Sequence, residues 1–167
     1  RPSKKLLEHV GNVIKGLPAY VLLDEQLVVY QKIRAIVARG FNRRRKTVVL
    51  VQGGPGTGKS VIALNLVGDL ATDGRNAHYA TGSKAFTTTM RKIVGTRASA
   101  QFKYFNSYDR ALADEIDVLV CDEAHRIRET SANRFTRATH RSGKPQIQEL
   151  IDAARVSVFF IDDRQGV

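Results

Sequence analysis

Apolar residues near the start of the chain recur at helical spacing. Leu6, Leu7, Val10, Val13 and Ile14 share one side of a helix predicted over Lys4 to Lys15, and Gly16-Leu17-Pro18 ends it. Leu27, Val28, Ile33, Ile36 and Val37 mark a second helix over Asp24 to Arg39. The period then changes. Thr47-Val48-Val49-Leu50-Val51 is short, β-branched and apolar, so it predicts a buried strand, and Val61 to Val67 predicts the start of a helix. Ala77 to Thr81 reads as a strand, and Ser83 to Val94 as a helix capped by Ser83. Gln101 to Phe105 is a weak strand and Ser107 to Ala113 a short helix. Ile116 to Cys121 is a buried strand, and Glu129 to Lys144, polar and without periodicity, is a loop. Gln146 to Ala154 is a helix, and Val156 to Ile161 a last buried strand.

Strands alternating with helices predict an α/β fold with a mostly parallel sheet. The chain has 167 residues, enough for one domain with its own core. The expected division is an N-terminal helical segment over 1–46 and an α/β domain over 47–167. The single cysteine, Cys121, excludes an internal disulfide, reads as a small core residue, and fits a reducing, cytoplasmic setting. No apolar run is long enough to span a membrane, and no signal peptide is visible. The first residue is Arg1 rather than Met, so the expectation is a piece of something longer.

Three strand ends carry chemistry. Gly53-Gly54-Pro55-Gly56-Thr57-Gly58-Lys59-Ser60 is a full G-x-x-x-x-G-K-[ST] loop between a strand and a helix. Glycines let the backbone turn its N–H groups onto an anion, and the helix N-terminus adds partial positive charge. Lys59 is expected to reach the β- and γ-phosphates of ATP, and Ser60 to hold Mg²⁺. Val118-Leu119-Val120-Cys121-Asp122-Glu123 is an apolar strand ending in two acids. A carboxylate there lies beside the phosphate loop: Asp122 would bind the Mg²⁺ held by Ser60, and Glu123 would act as general base on the attacking water. The last strand ends in Asp162-Asp163-Arg164-Gln165, where the Gln165 amide can sense a γ-phosphate or position water.

Charge adds a second function. Lys and Arg number 27 against 16 Asp and Glu, a net charge of +11, which favours a polyanion partner. Arg43 to Lys46 reads equally as solvated surface or as part of that face. The stretch from Arg126 to Lys144, with Arg134, Arg137 and Arg141, directly follows the acidic strand end and reads as a face for single-stranded DNA or RNA. Tyr104, Phe105 and Tyr108 fit core packing better than base stacking, and His125 fits either coupling of the two sites or a structural role.

These residues carry a resemblance. Asp122-Glu123-Ala124-His125 resembles helicase motif II, Asp162-Asp163-Arg164-Gln165 resembles motif III of superfamily 1, Ser83-Lys84-Ala85 resembles motif Ia, and Asp24-Glu25-Gln26 resembles the Q motif. The runs Tyr79 to Thr87 and Asp122 to Thr130 are similar to the schlafen-type group of DNA/RNA helicases. The resemblance implies a RecA-like first helicase domain that hydrolyses ATP with Mg²⁺ while moving on nucleic acid. It implies that Gln26 contacts adenine, that Gln165 meets the γ-phosphate, and that Thr81, Ser83 and Lys84 touch the nucleic-acid backbone. It also implies a second RecA-like domain with an arginine finger and, in many members, a nuclease module. Gln165 lies two residues before the last residue, so weak ATP binding and scarce turnover are expected of this chain alone. A RecA-like core further predicts that the strand Val156 to Ile161 lies between the strands Thr47–Val51 and Ile116–Cys121. Two other readings remain: a small-molecule P-loop kinase and a non-catalytic, ATP-gated binding module.

Overall fold

The computed structural model describes residues 1–43, 45–54, 58–132, 135–138 and 141–162. Helix α1 (Lys4–Lys15) opens on Ser3, whose hydroxyl accepts the Leu6 N–H, and ends at Gly16. Helix α2 (Asp24–Phe41) starts where the Gln26 side chain folds back to accept the Leu23 N–H at 2.9 Å. Strand β1 (Thr47–Gly53) leads through the glycine loop into α3 (Lys59–Thr72). Then come β2 (Ala77–Thr81), α4 (Lys84–Val94), β3 (Phe102–Tyr104), β4 (Ile116–Cys121), α5 (Gln146–Ala153) and β5 (Ala154–Asp162).

The five strands form one parallel sheet in the order β1-β5-β4-β2-β3. The expected insertion of the last strand is therefore present: Val49 pairs with Val158 on one side of β5, and Val120 with the same Val158 on the other. Parity along the strands divides the core. Val49, Val118, Val120, Val156, Val158 and Phe160 join α1, α2 and α3 on one face. Leu119, Cys121 and Phe159 join α5, Phe105 and Tyr108 on the other. Helices on both faces of a parallel sheet, with strand runs apolar on both sides, make this the α/β, RecA-like arrangement. Burial pushes the Cys121 thiol well above the ordinary range, consistent with its reading as an inert core residue.

Helix α3 is buried on most of its circumference because the sheet lies on one side and α1 on the other. The α1–α3 crossing is close. A Cβ on Gly68 would come within 2.9 Å of Ile14, and one on Gly11 within 2.7 Å of the Gly68 carbonyl. The sequence pattern locates both helices but not this crossing.

Three readings change. The strand Thr47–Val51, expected to be buried, buries Val49 but leaves Val48 and Leu50 exposed, because β1 is an edge strand of the sheet. The helix expected over Ser107 to Ala113 is instead a 3-10 turn over Phe105–Tyr108. Three residues per turn places Phe105 and Tyr108 on the same side, and both are buried in the second core, so packing overrides α propensity. Lys46, half of whose expected role was surface charge, is a tie within the fold. Its Nζ donates to the Ile151, Asp152 and Ala154 carbonyls at 3.1, 3.1 and 2.9 Å and pairs with Asp114, so it caps the C-terminal end of α5. Among the described residues no helix is long and apolar enough to cross a membrane.

Candidate nucleotide site at the strand ends

Parallel strands bring the chemistry-bearing residues to one edge. Gly53 at the end of β1 is in register with Asp162 at the end of β5. Ala80 of β2 is in register with Cys121 of β4, which places Asp122 next along that edge. Gly58 has φ of 80°, a left-handed turn that lets α3 begin at Lys59. The Gln26 amide occupies the space that a Cβ on Gly58 would need, so the start of α2 lies directly against the glycine loop. A cleft of about 800 Å³ opens beside it, lined by Leu22, Leu23, Gln26, Val29 and Ile62.

The polar groups converge on Asp122, which is 4% exposed. The Ser60 hydroxyl donates to its Oδ2 at 2.6 Å, and the Tyr79 hydroxyl donates to the same oxygen. The Glu123 N–H donates to Oδ1 at 2.9 Å, while the Asp122 N–H donates to the Ala80 carbonyl at 2.9 Å. Burial, then the Asp122 charge, hold the Tyr79 phenol well above its ordinary value, so it stays a donor. Lys59 curls back, its Nζ donating to the Gly53 and Gly54 carbonyls at 2.8 and 2.7 Å.

Glu123 adopts φ of 50°, a left-handed conformation uncommon for a residue with a side chain. Its carboxylate lies within 3.7 Å of Arg126. Backbone strain of this kind concentrates at functional sites. His125 follows in the same turn, and its Nδ1 accepts the Asp162 N–H at 3.4 Å, joining the exits of β4 and β5. A tie between two strand exits serves the structural role expected for it as well as the coupling one. Pro55, Gly56, Thr57 and Gln165 lie outside the described residues.

The residues expected at nucleic acid fall in two places. Thr81 is buried, and its Oγ1 accepts the Ser83 N–H at 3.2 Å; the Ser83 hydroxyl caps α4 through the Phe86 N–H at 3.2 Å. Both hydroxyls serve the local turn, and Lys84 is the exposed member of the trio. Arg137 and Arg141 are exposed in the loop after β4, and Arg134 lies outside the described residues. The base of this loop is held shut. The Gln146 N–H donates to the Glu129 carbonyl at 3.0 Å, the Arg128 N–H to Gln146 Oε1 at 2.8 Å, and Ser131 and Ser142 to Glu149 Oε2 at 3.1 and 2.5 Å. Phe135, two residues before Arg137 in the chain, is 79% exposed.

A family model for the Schlafen group 3 DNA/RNA helicase domain matches residues 46–167. The chain belongs to this family. A search of curated proteins finds no match. The Schlafen match begins just before β1 and takes in the glycine loop, Asp122, the basic loop and β5. Gln26 lies outside it, so its place at the site rests on the packing of α2 against Gly58.

Sequence reading misses Tyr79, Phe135, Gln146 and Glu149. Tyr79 carries a usable signal: strand alternation puts it on the same face as Val120 and Asp122 once β2 and β4 are paired. Without the pairing it is one more aromatic residue in a strand.

Proposed function

We propose that this Schlafen-family domain binds ATP with Mg²⁺ at the strand ends and, in the intact protein, hydrolyses it while moving on single-stranded DNA or RNA. The carrying observation is the 2.6 Å hydrogen bond from Ser60 at the start of α3 to Asp122 at the end of β4. It places a hydroxyl and a carboxylate from two distant segments at one point, beside a helix N-terminus and a lysine. Hard oxygen donors in that arrangement suit Mg²⁺, so the residues present fit the ion. Ser60 and Asp122 would hold it, and when bound it neutralises phosphate charge. Lys59 would exchange its loop carbonyls for phosphate oxygens, a charge-assisted contact. Glu123, next to Asp122 on a left-handed turn, would accept a proton from the attacking water. Gln26 and the cleft beside it would take the adenine. The insertion of β5 between β1 and β4 supports this reading over a kinase, because it leaves room for water between the glycine loop and Glu123.

The proposed partner surface runs from Lys84 at the start of α4 to the basic loop, with the second RecA-like domain of the intact protein supplying an arginine finger. Such a finger is worth about 10³ to 10⁵ in rate, so this chain alone should bind nucleotide and turn it over slowly. Phosphate release measured with and without single-stranded DNA tests the reading. Slow release that Lys59→Ala abolishes supports it, whereas transfer of phosphate to an added small molecule instead of water would point to the kinase.

A further inference from the structure

The geometry points to Tyr79 as the positioning residue for the Asp122 carboxylate, an assignment that rests on the Mg²⁺–nucleotide reading above. Tyr79 is 2% exposed in the middle of β2. Its ring packs against Phe86 at 5.0 Å and Phe102 at 6.2 Å between centroids, so its two χ angles are set by the core. A phenylalanine would fill the same volume. The hydroxyl is the part that the core does not need, and it is spent on Asp122 Oδ2.

That oxygen also takes the Ser60 hydroxyl. An ionised carboxylate has about four acceptor positions, two on each oxygen. The two hydroxyls use those of Oδ2, and the Glu123 N–H uses one on Oδ1. The remaining position on Oδ1 is therefore the one that would face a metal-bound water. Tyr79 fixes the plane of the carboxylate and so decides which oxygen is offered. Because Phe86 belongs to α4, whose first residue is Lys84, the phenol also joins the carboxylate to the helix at the proposed nucleic-acid edge.

The test is Tyr79→Phe, read by titrating a ribose-labelled fluorescent ATP analogue with Mg²⁺ or with EDTA. In the wild type, Mg²⁺ should tighten binding. In the variant the Mg²⁺ affinity of the complex should fall about tenfold, as when an outer-shell partner is removed, with affinity in EDTA unchanged. A structural defect would instead weaken binding in both media and lower the unfolding temperature without ligand. The second arm keeps the test decisive if the variant is unstable: against Asp122→Asn, the Tyr79→Phe change should have no further effect on Mg²⁺ dependence. Wild-type Mg²⁺ dependence in Tyr79→Phe, or equal reductions in both backgrounds, overturns the assignment alone. A wild type whose nucleotide binding ignores Mg²⁺ overturns the underlying reading with it.

Discussion

Asp122 sits at the end of an interior strand, nearly sealed from solvent, with its carboxylate held by β2, α3 and its own turn. Some residues later, in the loop from Glu129 to Pro145, Phe135, Arg137 and Arg141 are exposed, and order comes from Gln146 and Glu149 at its base. The first region is positioned by hydrophobic burial behind it, the second by a few hydrogen bonds below it. The proposed chemistry at phosphate needs fixed distances, which packing sets. The proposed face for a flexible polyanion needs charge and reach more than geometry, which a loop tied at its base supplies.

Breaking the first region should have the largest effect. Lys59→Ala removes a cation beside the glycine loop and should weaken nucleotide binding by about 10²-fold, measured by fluorescence titration, with single-strand binding retained. Gly11→Val reaches the same region from behind. It forces α1 off α3 at the Gly68 carbonyl and the Thr72 side chain and should cost about 1–3 kcal/mol of stability by thermal or denaturant unfolding. If stability is unchanged, the close crossing does not matter to the fold.

Acid should separate the regions further. Burial, then the Lys103 charge, press the His78 imidazole down to about 3, and its Nδ1 lies 2.8 Å from the Tyr108 hydroxyl. The unfolded chain binds a proton there near pH 6.5 and the folded chain does not. Its stabilising contribution is therefore complete above that pH and is lost progressively as pH falls from about 6.5 toward 3. His78→Gln should flatten the pH dependence of unfolding in that window while leaving salt-dependent nucleic-acid binding unchanged.

The loop should respond more mildly. Glu149→Ala frees Ser131 and Ser142 and should speed hydrogen exchange over 129–145 while leaving Mg²⁺-dependent nucleotide affinity within about twofold. Equal loosening at the strand ends would show that the two regions are not independent. The smallest effect per residue is expected from charge in the basic loop. Changing Arg134, Arg137 and Arg141 together to Glu should flatten the slope of log K against log salt by roughly 0.7 for each phosphate that is no longer neutralised. Fluorescence anisotropy at several salt concentrations measures it, and an unchanged slope would leave the loop as solvated surface.

Particular residues show what local pattern can and cannot convey. Lys4–Lys15, Ala77–Thr81 and Ile116–Cys121 have the expected bounds, because an apolar period and its capping residues are local properties. The glycine loop and the acidic strand end are also local, since each needs only its neighbours to be recognised. The turn at Phe105–Tyr108 escapes sequence reading because two aromatic side chains seek a core that lies elsewhere in the chain. Gly11 and Gly68 look ordinary in sequence because what makes them necessary is the approach of another helix.

The sequence by itself determined most of the elements, their order, and the presence of a phosphate-type loop and an acidic strand end, because these depend on spacing within a few residues. Tertiary structure decided that Ser60 meets Asp122, that Tyr79 shares the same carboxylate oxygen, that Gln26 reaches the glycine loop, and that Lys46, exposed as it is, caps a helix. Each of those is a contact between segments tens of residues apart, set by strand register and helix crossing. Chain periodicity states which face a side chain takes. Which other face it meets is settled when the sheet closes around its core.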